Sequence, residues 1–258
     1  MLSSEGTCLP ATGAAKAATA NQHHNMRYHC KTIGALAAVS ALVAGNAKAD
    51  IEYKLHTGYS NEYLWRGLDL GNDLIEAGFD VSGTWNGVGL SAGAWFGSFT
   101  NAGQNLEELD LYGEVSKEFG PVKAAIGYIA YTYPNPHSDT YQEIYFGVSH
   151  DFGFVAASLK YYWGVEGDND GYTEFGLTHS FTLSPCLTLN LESNIGYLVE
   201  KGVATAWTNK VSLDWGFAEH AKLSPFVAAS IALSDSDYTS YYNSKNELVG
   251  GCMLSVTF

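Results

Sequence analysis

Leu248-Val249-Gly250-Gly251-Cys252-Met253-Leu254-Ser255-Val256-Thr257-Phe258 decides the fold. Counting back in twos from Phe258 gives Val256, Leu254, Cys252, Gly250 and Leu248 on one face, and Thr257, Ser255, Met253, Gly251 and Val249 on the other. A period of two is the signature of a β-strand with unlike faces. An amphipathic last strand that ends on an aromatic residue predicts recognition of Phe258 by the barrel-assembly machinery of a Gram-negative outer membrane.

The same alternation recurs upstream. Ile75, Ala77, Phe79, Val81, Gly83 and Trp85 share one face, and Glu76, Gly78, Asp80, Ser82 and Thr84 the other. Asn86-Gly87, the favoured dipeptide of a two-residue hairpin, follows. Leu109, Leu111, Gly113 and Val115 alternate with Glu108, Asp110, Tyr112 and Glu114. Val155, Ala157, Leu159, Tyr161 and Trp163 alternate with Ala156, Ser158, Lys160 and Tyr162, and Val211, Leu213 and Trp215 with Lys210, Ser212 and Asp214.

Twelve such segments are expected, near 51–66, 74–86, 88–99, 107–119, 121–133, 140–152, 154–164, 172–184, 186–199, 204–218, 222–234 and 246–258. Their joints alternate between short (Asn86-Gly87, Gly120, Gly153, Ser184-Pro185) and longer polar ones, the last being 235–245. Short periplasmic turns and longer extracellular loops characterise outer-membrane barrels, and an even strand count puts both termini on the periplasmic side. The predicted fold is therefore all-β, a transmembrane antiparallel β-barrel of about twelve strands. A soluble sandwich shares the alternation but accounts for neither the terminal Phe nor the joint asymmetry.

Export is read from the other end. Met26-Arg27-Tyr28-His29-Cys30-Lys31 is basic, Thr32–Gly45 is apolar, and Ala47-Lys48-Ala49 has the form of a cleavage site. These are the three parts of a secretory signal peptide. The apolar run is too short for a spanning helix, which needs about 20 residues. Cleavage is expected after Ala49, dividing the chain into a leading extension (1–25), a signal peptide (26–49) and a barrel (50–258). Cys30 precedes the apolar run and Asp50 follows the cut, so no lipoprotein cysteine is present.

From residue 50 onward, 9 Lys and Arg face 26 Asp and Glu, a balance of −17. Such acidity argues against nucleic acid as a partner. Cys186 and Cys252 fall on segments that are not neighbours, so no disulfide is expected. Mean hydropathy of −0.07 rules out a helical membrane bundle but suits a barrel, in which only every second residue meets lipid.

Parity assigns a candidate lumen: Arg66, Glu76, Asp80, Glu108, Asp110, Glu114, Glu143, Lys160, Glu174, Glu192, Lys210 and Asp214 are expected to line a pore. An excess of fixed acids in a water-filled path concentrates cations. The alternative is that the same acids pair with lysines and tyrosine hydroxyls and fill the interior. Arg66 is expected to point inward near the mouth, with Tyr63 and Trp65 outward. No catalytic residues, cofactor or metal are expected. A hydrolase is the rival reading, with His137-Ser138-Asp139, Asp235-Ser236-Asp237, His150 and His179 as its candidate parts. Asp168-Asn169-Asp170-Gly171 resembles a Ca²⁺ loop but lacks the distal Glu of the full pattern.

Several stretches resemble the TorF-like porins, a family of short Gram-negative outer-membrane barrels. They are Tyr63-Leu64-Trp65-Arg66-Gly67, Glu76-Ala77-Gly78-Phe79-Asp80, Asp110-Leu111-Tyr112-Gly113, Gly127-Tyr128-Ile129-Ala130-Tyr131-Thr132-Tyr133-Pro134, Glu143-Ile144-Tyr145-Phe146-Gly147 and Lys160-Tyr161-Tyr162. The similarity covers most of 52–180. The chain departs from that family at Trp65, where Phe is usual, and at Leu68-Asp69-Leu70, where a Ser-containing stretch is usual. The resemblance implies a porin-like role. Together with the barrel reading, the expected function is passive passage of small hydrophilic solutes, with outer-membrane lipid as a partner and a homo-oligomer as a further expected association.

Overall fold

The computed structural model describes residues 51–134, 140–234 and 245–258. The expected extension 1–25, the signal peptide 26–49, His137-Ser138-Asp139 and Asp235-Ser236-Asp237 lie outside the described residues.

Twelve strands are formed: β1 (Glu52–Trp65), β2 (Leu68–Trp85), β3 (Val88–Asn101), β4 (Gln104–Phe119), β5 (Val122–Thr132), β6 (Tyr141–Asp151), β7 (Ala156–Glu166), β8 (Tyr172–Ser184), β9 (Leu187–Leu198), β10 (Val203–Gly216), β11 (Ala221–Ala232) and β12 (Glu247–Thr257). Each pairs antiparallel with its sequence neighbours, and β1 pairs with β12, which closes the barrel. Closure runs from Lys54↔Thr257 to Ser60↔Gly251, and Tyr53 and Phe258 exchange two backbone hydrogen bonds of 3.2 and 2.9 Å. No edge strand is left, so every ladder has a partner on both sides.

The expected alternation sets the faces. Outward positions carry Leu55, Ile75, Phe79, Trp85, Phe119, Phe146, Trp163, Val211 and Trp215, all exposed. Apolar surface on this scale would be an aggregation site in water. Inward positions carry the charged and small polar side chains. Cys186 and Cys252 are free thiols, as the strand order requires.

Two joints differ from expectation. Those after the first and third segments, expected to be long, are two-residue turns, Arg66-Gly67 and Ala102-Gly103. Their φ values are +53 and +84, and +49 and +77, matching Asn86-Gly87 at +50 and +75. Positive φ at both central positions is the type I′ geometry that fits the twist of paired strands. The chain expected in those loops instead lengthens β2, which starts at Leu68, and β4, which starts at Gln104. The asymmetry between the two rims survives at the connections 133–140, 167–171 and 233–246.

Candidate functional site

The β1–β2 hairpin bends inward over the lumen. Register shifts lie between Tyr63 and Leu64 on β1 and between Asn72 and Ile75 on β2, with Asp73 at a φ of +56. Such bulges bend a strand and re-aim its side chains. Below them, Lys54, His56 and Ser60 point inward. Beside and beyond them, Tyr63 and Trp65 also point inward, contrary to expectation. Tyr63 is buried against Trp95 and Phe99, at ring distances of 5.5 and 5.0 Å, and Trp65 meets Tyr131 edge-on at 5.7 Å. Leu68 packs with Tyr145, Tyr162, Tyr172 and Leu198, which belong to the wall across the barrel from β1 and β2. Gly67 reaches β10 and β11: a Cβ there would overlap that of Ala206 and press on Ser230 Oγ.

Arg66, at the tip, is held by that far wall. Its Nη1 and Nη2 donate to Glu143 Oε1 and Oε2 at 2.9 and 2.7 Å, a bidentate pair. The two side chains are 7% and 6% exposed. The guanidinium carbon lies 4.4, 4.3 and 4.2 Å from the ring centroids of Trp65, Tyr162 and Tyr172, respectively. Glu143 also accepts from Tyr131 Oη at 3.1 Å and from Asn169 Nδ2 at 2.8 Å. Asn169 is itself fixed, donating to the Tyr162 carbonyl at 3.1 Å and accepting from Gly171 N–H at 3.1 Å. Planar charge, paired N–H donors and aromatic faces are the features that suit Arg, rather than Lys, to such a cage.

The hairpin borders two cavities. One, of about 310 Å³, lies within the barrel and is lined by Glu62, Tyr63, Arg66, Glu76, Trp95, Tyr172, Glu174, Glu192, Lys210 and Phe226, among others. The other, of about 240 Å³, lies at the rim and is lined by Trp65, Leu68, Leu70, Glu108, Tyr131, Tyr133, Tyr141, Glu143, Glu166, Asp168 and Asn169.

The remaining expected lumen residues are mostly paired. Glu76 accepts from Trp95 Nε1 at 2.6 Å, Asp80 from Tyr112 Oη at 2.5 Å, and Glu114 from Tyr145 Oη at 2.8 Å. Glu174 accepts from Tyr172 Oη at 3.3 Å and Glu108 from Tyr133 Oη at 3.4 Å. Lys210 lies 3.7 Å from Glu192, and Lys222 donates to Asp214 at 2.7 Å. Lys160 Nζ sits 5.5 Å from the Tyr145 ring centroid, and Asp110 neighbours Glu108 on the inner face of β4. Arg66, Glu76, Glu174, Glu192 and Lys210 meet at the inner cavity, and Glu108 and Glu143 at the rim cavity. Asp80, Asp110, Glu114, Lys160 and Asp214 line neither.

Sequence reasoning missed Tyr131, Tyr145, Tyr172, Leu68 and Asn169 as partners in the mouth. Parity carried a signal: Leu68, Leu70 and Leu74 share the face of Glu76 and Asp80, so the apolar stripe of β2 changes sides near its start. His150 and His179 stack edge-on against Phe152 and Phe181 at 4.3 and 4.2 Å. Carboxylate oxygens of Asp168, Asp170 and Glu200 lie within 4.8 Å of one another, with Lys201 Nζ 3.2 Å from Asp170.

A closed barrel of twelve antiparallel strands with a charged, hairpin-capped interior is the class this geometry defines. The chain belongs to the Gcw_chp family, described as bacterial proteins of unknown function, whose model matches residues 45–251. No curated protein matches it. Among solved structures it is similar to the NanC porin, with 11% identity over 79% of this chain and 98% of that one at a TM-score of 0.51. It is also similar to the KdgM porin, with 10% identity over 80% and 99% at a TM-score of 0.50. At these identities the likeness concerns the fold.

Proposed function

We propose that the protein is an outer-membrane channel for passive diffusion of small hydrophilic solutes, with a preference for cations, and that the β1–β2 hairpin narrows its outer mouth. The observation that carries this reading is a closed barrel that is apolar outside and charged inside, with an acid-rich cavity of about 310 Å³ in its lumen. An apolar belt facing outward fits hydrocarbon rather than water, and a barrel spans a membrane because all its backbone groups are paired. The fold shared with two porins and the resemblance to TorF-like porins support the same assignment. Glu62, Glu76, Glu174 and Glu192 around one chamber, with Lys210 and Arg66 as its cations, would draw cations in and discourage anions.

The hairpin also favours a second reading, a barrel with a sealed mouth that serves only as a surface or structural element. One experiment separates them. The refolded protein is placed in a planar bilayer under a salt gradient and recorded at single-channel resolution. Stable conductance steps with a cation-selective reversal potential are expected. A folded barrel that never conducts would establish the sealed form.

A further inference from the structure

The strongest feature that channel function alone does not explain is the pocket that holds Arg66. A narrowed mouth needs bulk, and Leu68, Trp65 and Tyr63 supply it. It does not need a carboxylate set to grip a guanidinium with both oxygens. It also does not need two tyrosine rings from β7 and β8 placed 4.3 and 4.2 Å from the guanidinium carbon. Glu143, Tyr162, Tyr172 and Asn169 all stand on the barrel wall or the 167–171 turn, so this half of the cage remains when the hairpin leaves. Only Trp65 travels with Arg66.

We propose that this wall is a binding site for a guanidinium-bearing solute, that Arg66 occupies it as a tethered stand-in, and that such a solute competes with Arg66 and releases the hairpin. The proposal rests on the channel reading for its physiological meaning, but not for its chemistry. The planar cation lies against aromatic faces while its two N–H donors meet one carboxylate, a geometry an ammonium cannot reproduce. The approach is prepared. Glu143, Tyr131 and Asn169 line the rim cavity as well as the cage, so a solute that enters the cavity is already at the carboxylate. Glu108, Glu166 and Asp168 line the same cavity and would draw a cation to it. A tethered ligand acts at an effective concentration in the millimolar range or above. Free solute therefore has to reach comparable levels, or add contacts to those rim acids, before it displaces Arg66.

The test uses Arg66→Asn in the full chain. This change creates Asn-Gly, which favours the same type I′ turn and so preserves the hairpin while emptying the cage. In detergent, calorimetric titration with methylguanidinium should give saturable binding to the variant and none to the wild type at the same concentrations. Methylammonium should bind at least about tenfold more weakly. Arg66→Asn combined with Glu143→Gln should abolish the signal, while still giving the heat-resistant band of a folded barrel on a gel. In bilayers, methylguanidinium should reduce the conductance of Arg66→Asn, and arginine methyl ester should raise that of the wild type. Absence of methylguanidinium binding, or equal binding of the two cations, overturns the site even if every variant conducts. Wild-type conductance that stays flat up to about 100 mM arginine methyl ester overturns the competitive release. Barrels that bind methylguanidinium but never conduct leave the site standing and remove the channel reading instead.

Discussion

At the scale of single residues, the Arg66–Glu143 pair dominates the mouth. Both side chains are almost fully buried, so neither can fall back on water if its partner is lost. Breaking a buried ion pair by removing one partner costs about 3–5 kcal/mol, whereas replacing both members with apolar groups of similar volume is often close to neutral. Glu143→Leu alone should therefore undock the hairpin. It should raise backbone amide exchange at Leu64–Leu70 and increase single-channel conductance. Adding Arg66→Met to it should restore slow exchange, because the strand tip would then sit in an apolar setting made by Leu68, Tyr145 and Leu198. Fast exchange in the double variant would mean that the charge pair, and not the tip's packing, holds the hairpin down. Gly67 is the second sensitive position. Its φ is +84, and a Cβ there would overlap Ala206, so Gly67→Val should also hold the tip off β10 and widen the pore. The readout is larger conductance with the heat-resistant barrel band on a gel unchanged.

At the scale of strands and turns, the sequence was legible where one rule acted alone. All twelve strands follow from period-two alternation, and Asn86-Gly87 names its own turn. Arg66-Gly67 and Ala102-Gly103 adopt that turn too, at φ values of +53 and +49 for the non-glycine residue, but with residues that carry no such preference. Their turn type is imposed by the paired strands on either side, which no local dipeptide reports. The inward hairpin was hidden for a related reason. Tyr63 and Trp65 share outward parity with Tyr59 in the sequence, yet both are packed inside, in the part of the hairpin where pairing with β2 is irregular and Leu70 is left unpaired. A bulge is a fact of pairing between two strands, so single-strand alternation cannot reveal it. The forced turn at Ala102 has a measurable cost, since an L-residue with a Cβ in the left-handed region is strained by about 1–2 kcal/mol. Ala102→Asn should recover about 1 kcal/mol of that and raise the urea midpoint without changing its slope. An unchanged midpoint would show that the β3–β4 ladder absorbs the strain.

At the scale of the whole molecule, charge is arranged in layers. The belt that faces outward has almost no charge, the acids are inside, and several of those acids accept from tyrosine hydroxyls: Asp80 from Tyr112, Glu114 from Tyr145, Glu174 from Tyr172. A hydroxyl donor satisfies a carboxylate's hydrogen bonding without cancelling its charge, so the interior stays negative although its acids are partnered. On the proposed channel reading, a hydrogen-bonded interior of this kind still carries a cation-attracting field. The field should depend on the acids of the inner chamber more than on those near the chain ends. Asp214 has its charge met by Lys222 at 2.7 Å, whereas Glu174 accepts from the Tyr172 hydroxyl at 3.3 Å. Glu174→Gln should therefore shift the reversal potential toward zero, and Asp214→Asn should leave it nearly unchanged. The effect should also fade with salt at a fixed gradient ratio, because the Debye length falls from about 10 Å at 0.1 M to about 3 Å at 1 M. Selectivity that survives at 1 M, or that follows Asp214 rather than Glu174, would locate the filter at a contact narrower than the chamber. The remaining candidate would be the Arg66 tip itself.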